Sequence, residues 1–295
     1  RVHDSRTTGA ADLPAEALER GELVHFATCP FPLPPAGQLD FLRRQQAAAF
    51  GHKDVCYDPS RRKLAGAKSA HPSEVRRVAD VLSQFSAAAW EWLKRAVAAY
   101  APGIIPDRVT LRTQEEATRM LRLTARNDLL HIDNFPTRPT GGRRILRLYV
   151  NINPTDPHVW TTSERFPDLL RRYAARHAVP ARTSAEWRAA APSVVRFVTR
   201  TRSARSAYDA WMLRLHHFLK EDEAFQTQAA RRLWTFGPGS MWLLFSDGIA
   251  HALMRGRFSL EHSFFVPFEC LTRPNEAPLA WLERAGRGTP RRRAG

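Results

Sequence analysis

The chain has 295 residues, 43% hydrophobic and 25% charged, which excludes wholesale disorder and lets a full core form without covalent staples. The length suits two average domains or one large β-barrel with insertions. Forty-five Lys and Arg stand against 29 Asp and Glu, a net charge of +16, and 40 of the bases are Arg. The excess is concentrated: residues 134–214 hold fifteen Arg, no Lys and five acids, and residues 284–295 hold five Arg and no acid. Basic regions of this kind imply an anionic partner (nucleic acid, an acidic membrane surface or an anionic substrate) unless Arg is simply favoured at solvated positions. Cys29, Cys56 and Cys270 are odd in number and form no CxxC pair, which points to neither a disulfide framework nor a thiolate metal site and favours a reducing compartment. No apolar run reaches the roughly 18 residues that a membrane-spanning helix needs.

Residues 1–15 read as a loose start, and the Pro-rich loop 30–37 leads into a helix near Gln38. After Pro72, Val75, Val78, Leu82, Phe85, Ala89, Leu93 and Val97 recur at helical spacing, with Ser73 as N-cap and Pro102-Gly103 as the stop. Short strands are predicted at 108–113, 119–125 and 144–152. Helix returns over 162–234, chiefly 164–177 and 208–219. The turn Gly237-Pro238-Gly239 leads into a buried strand at 240–246, and 257–268 alternates as another strand. This order predicts an α+β fold: an antiparallel β-core, helices on one face, and a helical insert at 162–234. Residues 1–283 read as a single catalytic domain and 284–295 as a disordered Arg-rich tail.

The chemistry lies in His131-Ile132-Asp133. On an extended backbone residues i and i+2 point to the same side, about 7 Å apart at Cα, so an imidazole and a carboxylate converge. They supply two ligands of a 2-His-1-carboxylate facial triad, which leaves positions on Fe(II) open for co-substrate and oxygen. In a double-stranded β-helix (jelly roll) the third ligand comes near the end of the core, where His251 stands. His262 is a rival, though it alternates with Phe258, Leu260 and Phe264 towards the core. His216 and His217 lie within a helix, where a structural role is expected. For 2-oxoglutarate, Arg147 shares a strand face with Tyr149, Asn151 and Asn153, opposite Leu146, Leu148, Val150 and Ile152. A planar guanidinium in such a stripe suits a carboxylate, so Arg147 and Asn151 are candidate co-substrate residues and Arg112 a second converging cation. Arg255 and Arg257 are alternative anchors.

From His131 through Thr140, then Gly142–Arg147 and Asn151–Pro154, the sequence resembles the Kdo hydroxylase family. Tyr208-Asp209, Met212-Leu213, Leu215-His216, Lys220, Asp222 and Gln226 are similar to that family's helical motif, as are Ser246-Asp247, His251-Ala252 and Leu260-Glu261. The resemblance spans roughly residues 15–268. It implies an Fe(II)/2-oxoglutarate-dependent dioxygenase that uses O2 to hydroxylate C3 of Kdo on lipid A, in the lipopolysaccharide inner core, giving the Ko sugar. It also implies His131, Asp133 and His251 as iron ligands, Arg147 as the foremost 2-oxoglutarate anchor and Arg112 as its companion. The chain departs from the family in Gly248-Ile249-Ala250, in the basic Met254-Arg255-Gly256-Arg257, at His262 where Gln is usual, and in its Arg-rich tail.

Such a substrate carries a carboxylate and phosphates. Arg126, Arg138 and Arg144 flank the His-Asp pair and suit those anions. Phe135 and Trp160 suit an apolar wall or sugar platform, with a core role equally open. Kdo-containing lipid A at an anionic membrane surface is the expected partner, with peripheral association at the cytoplasmic face of the inner membrane; nucleic acid is not expected. The competing classes are an iron/2-oxoglutarate oxygenase acting on nucleic acid and a non-catalytic basic binding module.

Overall fold

The computed structural model describes residue 13 and residues 15–45, 54–67, 71–118, 120–189 and 205–287. Helix α1 (Ala15–Glu19), strand β1 (Val24–Phe26) and helix α2 (Ala36–Arg43) precede a hairpin of β2 (Val55–Asp58) and β3 (Lys63–Ala65). The long helix α3 (Pro72–Ala96) buries Val78, Val81, Leu82, Phe85, Ala89, Trp92, Leu93 and Ala96. Its cap is His71, with Pro72 in the first turn, rather than Ser73; proline needs no hydrogen-bond partner there and its fixed φ suits a helix start.

Strand β4 (Ile105–Arg112) follows, then β5 (Arg144–Asn151) and β6 (His158–Arg165). Helices α4 (Phe166–Ala174), α5 (Ser184–Arg188), α6 (Ala207–Glu221) and α7 (Glu223–Gln228) form the described part of the insert. The chain then adds β7 (Arg232–Phe236), β8 (Met241–Phe245), β9 (Ile249–Arg255), β10 (Ser259–Val266) and helix α8 (Pro278–Arg287).

The strands form two sheets, both antiparallel throughout: a large one ordered β1-β8-β5-β10-β4-β2-β3 and a small one ordered β7-β6-β9. Strand alternation sorts the core. Leu146, Leu148, Val150 and Ile152 face α3, together with Leu243, Phe245, Leu260 and Phe264. The opposite face carries Tyr149, Trp242 and Leu244, which pack on Trp160, Trp234, Phe236 and Leu253 of the small sheet. On β9, Ala250 and Ala252 turn outward to a third core formed with the insert helices, so His251 and Leu253 turn inward between the sheets.

Three expectations change. The expected strand 119–125 is absent from its described residues, 120–125: a 3-10 turn, Leu123–Ala125, lies there after another at Glu116–Thr118, and Met120 is fully exposed, so the local pattern meets no partner strand. The helical insert is narrower than 162–234, because 158–165 and 232–236 pair with each other as β6 and β7. Residues 284–287 are helical, not part of a disordered tail. Helix α8 runs to Arg287, with Arg284 over the Trp281 ring at 4.2 Å and Arg287 paired with Glu283; residues 288–295 lie outside the described residues, as do 1–12. Among the described residues no helix is long and apolar enough to cross a membrane.

Candidate metal centre and its pocket

His131 lies on an extended segment that docks on β9: its N–H donates to His251 O at 3.1 Å and the His251 N–H donates back at 2.9 Å. The same segment continues to Asp133, whose N–H donates to Ser246 O at the end of β8, at 2.8 Å. The His131, Asp133 and His251 side chains therefore converge, all buried, with their ligand atoms within 4.8 Å of one another. His131 Nε2 stands 3.7 Å from Asp133 Oδ1.

Each imidazole is oriented by backbone. His131 Nδ1 lies 2.7 Å from Leu129 O and His251 Nδ1 lies 3.0 Å from Ile249 O. A carbonyl can only accept, so both Nδ1 atoms carry the proton and both Nε2 lone pairs are free for a metal. Burial, joined at His131 by the nearby Lys220 charge, lowers both imidazoles' proton affinity and keeps them neutral. Burial opposes ionisation of Asp133, but the Arg147 guanidinium, together with the neighbouring His251 and His131, outweighs it and holds the carboxyl well below the usual carboxylate range. Two neutral imidazoles and one carboxylate, with ordered outer partners, fit a divalent first-row metal such as Fe(II).

Beside the cluster, and sharing His131 and His251 with it, a pocket is lined by Arg112, Asn127, Arg147, Tyr149, Trp160, Leu253 and Glu261. Arg147 donates to Asp133 Oδ2 at 2.9 Å and to Glu261 Oε2 at 2.6 Å. Arg112 donates to Glu261 Oε1 at 2.8 Å and Glu116 Oε2 at 2.7 Å. Burial alone would neutralise Glu261; Arg112 and Arg147 reverse this and hold it down at about 2. Four buried donors of the lining residues, Asn127 Nδ2, Arg147 Nε, Tyr149 Oη and Trp160 Nε1, have no hydrogen-bond partner among the described residues. Burial pushes the Tyr149 phenol well up, so it remains a donor. A buried donor left unmade costs about 1–3 kcal/mol, so this lining fits an anionic, acceptor-rich ligand such as 2-oxoglutarate.

The other expected residues distribute as follows. Asn151 does not reach the pocket: its amide donates to Asp156 O and Phe236 O, and its oxygen accepts from Asn153 N, so it builds the turn after β5. Arg144 is 1% exposed, pairs with Asp247 at 2.9 Å and covers the Phe245 ring at 4.2 Å; it is interior structure, not a surface anion receptor. Arg126 forks onto Asp128. Arg138 pairs with Asp107 and stacks on Phe135, whose ring lies 6.3 Å from Phe265. Trp160 stacks on His251, centroids 5.8 Å apart and 12° from parallel, so it walls the pocket instead of forming an open platform. Arg255 and Arg257 are exposed and line no part of the pocket. His262 meets Ser86 of α3 at 2.8 Å, on the far face of the large sheet. His216 sits edge-on to His131, ring centroids 5.3 Å apart, with its Nδ1 on Ile132 O, and His217 meets the His216 ring edge-on at 5.5 Å.

Sequence reasoning passed over Glu261, Tyr149 and Asn127 as pocket residues. Tyr149 shares Arg147's stripe, and Ser259, Glu261 and Ser263 form a polar alternation on β10 that marks its inward face. Asn127 lies in an irregular loop and carries no such signal.

A two-histidine, one-carboxylate cluster between antiparallel sheets, beside a cationic pocket, defines a non-haem Fe(II)/2-oxoglutarate-dependent dioxygenase. Residues 2–289 match the family model described as 3-deoxy-D-manno-oct-2-ulosonic acid (Kdo) hydroxylase, and the chain belongs to that family. Among solved structures it is similar to the Kdo hydroxylase KdoO, a non-haem Fe(II) α-ketoglutarate-dependent dioxygenase, at 28% identity over 97% of this chain and 95% of that one. The TM-score is 0.82 for the apo form, 0.83 for the cobalt(II) complex and 0.81 for the complex with α-ketoglutarate and Fe(III). None of the curated proteins matches the chain.

Proposed function

We propose that this Kdo hydroxylase acts on Kdo carried by lipid A, placing a hydroxyl on C3 to give the Ko sugar, in a site framed by a double-stranded β-helix. The observation that carries the reading is the buried His131, Asp133 and His251 cluster beside a pocket lined by two arginines and four unpartnered donors. His131, Asp133 and His251 hold Fe(II), which with 2-oxoglutarate and O2 supplies the oxidative chemistry and releases succinate and carbon dioxide. Arg147 binds the far carboxylate of 2-oxoglutarate, with Arg112 behind it and Glu261 fixing both guanidiniums. Trp160 and Leu253 keep water from the pocket wall. The half-buried Arg138 and Phe135 meet the sugar acid, and Arg126 meets a more distant anion. The described chain, from α1 to α8, works as one catalytic unit.

Acyl chains keep the substrate in a bilayer, so the enzyme docks peripherally on the cytoplasmic face of the inner membrane. Several arginines of 134–214 are already paired with acids: Arg138 with Asp107, Arg144 with Asp247, Arg171 with Asp168, Arg172 with Glu164, Arg176 with Asp222 and Arg188 with Glu269. That pairing weakens the case for a nucleic-acid groove. A succinate-release assay with Fe(II) and 2-oxoglutarate tests the function. Turnover is expected with Kdo-lipid A and not with single-stranded oligonucleotides; no substrate-stimulated succinate from Kdo-lipid A would sink the reading.

A further inference from the structure

The segment that carries His131 and Asp133 has two backbone edges. On one, His131 bonds β9. A strand's neighbouring residues turn their N–H and C=O groups to the other edge, so Leu130 and Ile132 present theirs away from β9. Such an edge, left bare inside the protein, would strand its polar groups. Among the described residues no strand covers it; side chains from α6 and α7 do. Gln226 Oε1 accepts from Leu130 N–H at 2.9 Å, and Gln226 Nε2 donates to Leu130 O at 2.9 Å and to Leu219 O at 2.7 Å. His216 Nδ1 donates to Ile132 O at 2.6 Å. Lys220 Nζ donates to Thr124 O at 3.1 Å and Arg126 O at 2.6 Å. Further along, Asp209 accepts from Thr140 N–H at 2.6 Å and Gly141 N–H at 3.0 Å.

Asp209, His216 and Lys220 are spaced by seven and four residues, which a helix places on one stripe. All three are buried. A buried polar stripe on an otherwise apolar helix needs a purpose, and here every member bonds backbone groups of the 124–141 stretch that carries His131 and Asp133. The two residues flanking His131 are each held from the helical side.

We propose that His216 and Gln226, assisted by Lys220, are positioning residues: they act as a surrogate strand that sets the register of the 130–133 segment and so the spacing of His131 and Asp133 for the metal. The inference rests on the metal-centre reading above. It assigns the helical motif a role in metal geometry.

Cobalt(II) titration of the whole protein, followed by its visible spectrum and paired with thermal melting, tests this. His216→Phe keeps a ring and loses the donor; Gln226→Leu loses both contacts to Leu130. Each is expected to weaken cobalt binding about 10- to 100-fold and to alter the cobalt bands. His216→Gln, which restores a donor, is expected to recover most of the affinity. Should Gln226→Leu not fold, Gln226→Glu carries the test, since it keeps the acceptor for Leu130 N–H and loses the donor to Leu130 O. Phe85→Leu, in the core on the far face of the large sheet, is expected to lower the melting temperature without altering the bands. Unchanged affinity and bands in folded variants overturn the brace, as does an equal change in Phe85→Leu. A wild type that binds no cobalt fails at the metal centre itself and takes the brace with it.

Discussion

Replacing Arg147 with methionine separates the two jobs that its guanidinium performs. The side chain is 14% exposed and bridges Asp133 at 2.9 Å and Glu261 at 2.6 Å. Glu261 keeps Arg112 after the change, whereas Asp133 is left buried without a cation. Removing one partner of a buried pair costs about 3–5 kcal/mol, so the metal-free variant should melt roughly 6–20 °C lower. Bound metal restores a positive neighbour to Asp133, so saturating cobalt(II) should close much of that gap. The second loss is a charge-assisted hydrogen bond to 2-oxoglutarate, worth about 1.5–3 kcal/mol, which is a roughly 10- to 150-fold rise in its KM. Urea unfolding with and without cobalt(II), together with 2-oxoglutarate dependence of succinate release, reads both. A variant with normal KM for 2-oxoglutarate would refute Arg147 as anchor and move that role to Arg112. A variant with unchanged metal-free stability would refute the claim that Arg147 neutralises Asp133.

Glu261→Gln should flatten the acid limb of stability. Glu261 is held down from 4.5 to about 2, so its contribution, on the order of 3 kcal/mol, is present above pH 4.5 and lost as pH falls through 2; matching wild-type and variant urea midpoints across that window would contradict this. Asn151→Ala should cost about 1–3 kcal/mol in urea unfolding by stranding the turn carbonyls, with 2-oxoglutarate KM unchanged; a raised KM would return Asn151 to the pocket. Arg144→Met should lower stability by several kcal/mol, about 3–5, by leaving Asp247 unpaired, while the KM for Kdo-lipid A holds. Metal at 100 times its Kd should raise stability by about 2.7 kcal/mol, reversibly with chelator; an indifferent melting curve would deny a preformed site.

The metal cluster was legible because strand geometry alone places His131 and Asp133 on one side, and because His251 stands between the buried strand 240–246 and the last core strand; the strand that carries it, β9, was not foreseen. Helix α3 was legible from its apolar spacing, and β5 and β10 from alternation. The same alternation already separates Arg144 from Arg147: three residues apart on a strand, they face opposite sides, and Arg144 goes with Leu146 and Leu148 into the interior. Asn151 has the parity of Arg147 and Tyr149 but lies at the strand end, where Asn153 and Asp156 begin a turn that claims its amide. Parity gives the face of a sheet and says nothing of distance along it. Strand β6 was missed since its Thr-rich sequence carries no clear apolar alternation; its burial is decided by β7 and β9, which arrive much later in the chain. The cationic partners of Glu261 come from two other strands, Arg112 from β4 and Arg147 from β5, a convergence that local pattern cannot foretell.

The mutual bridge between His131 and His251 joins segments separated in sequence by β5, β6 and the whole helical insert. Pairings of such sequence separation carry the entropy of closing the loop between them, so metal competence depends on long-range closure as well as on the ligands themselves. A nascent chain that has not yet brought β9 into place has only His131 and Asp133 to offer, and cannot hold iron tightly before the scaffold that governs its reactivity is complete.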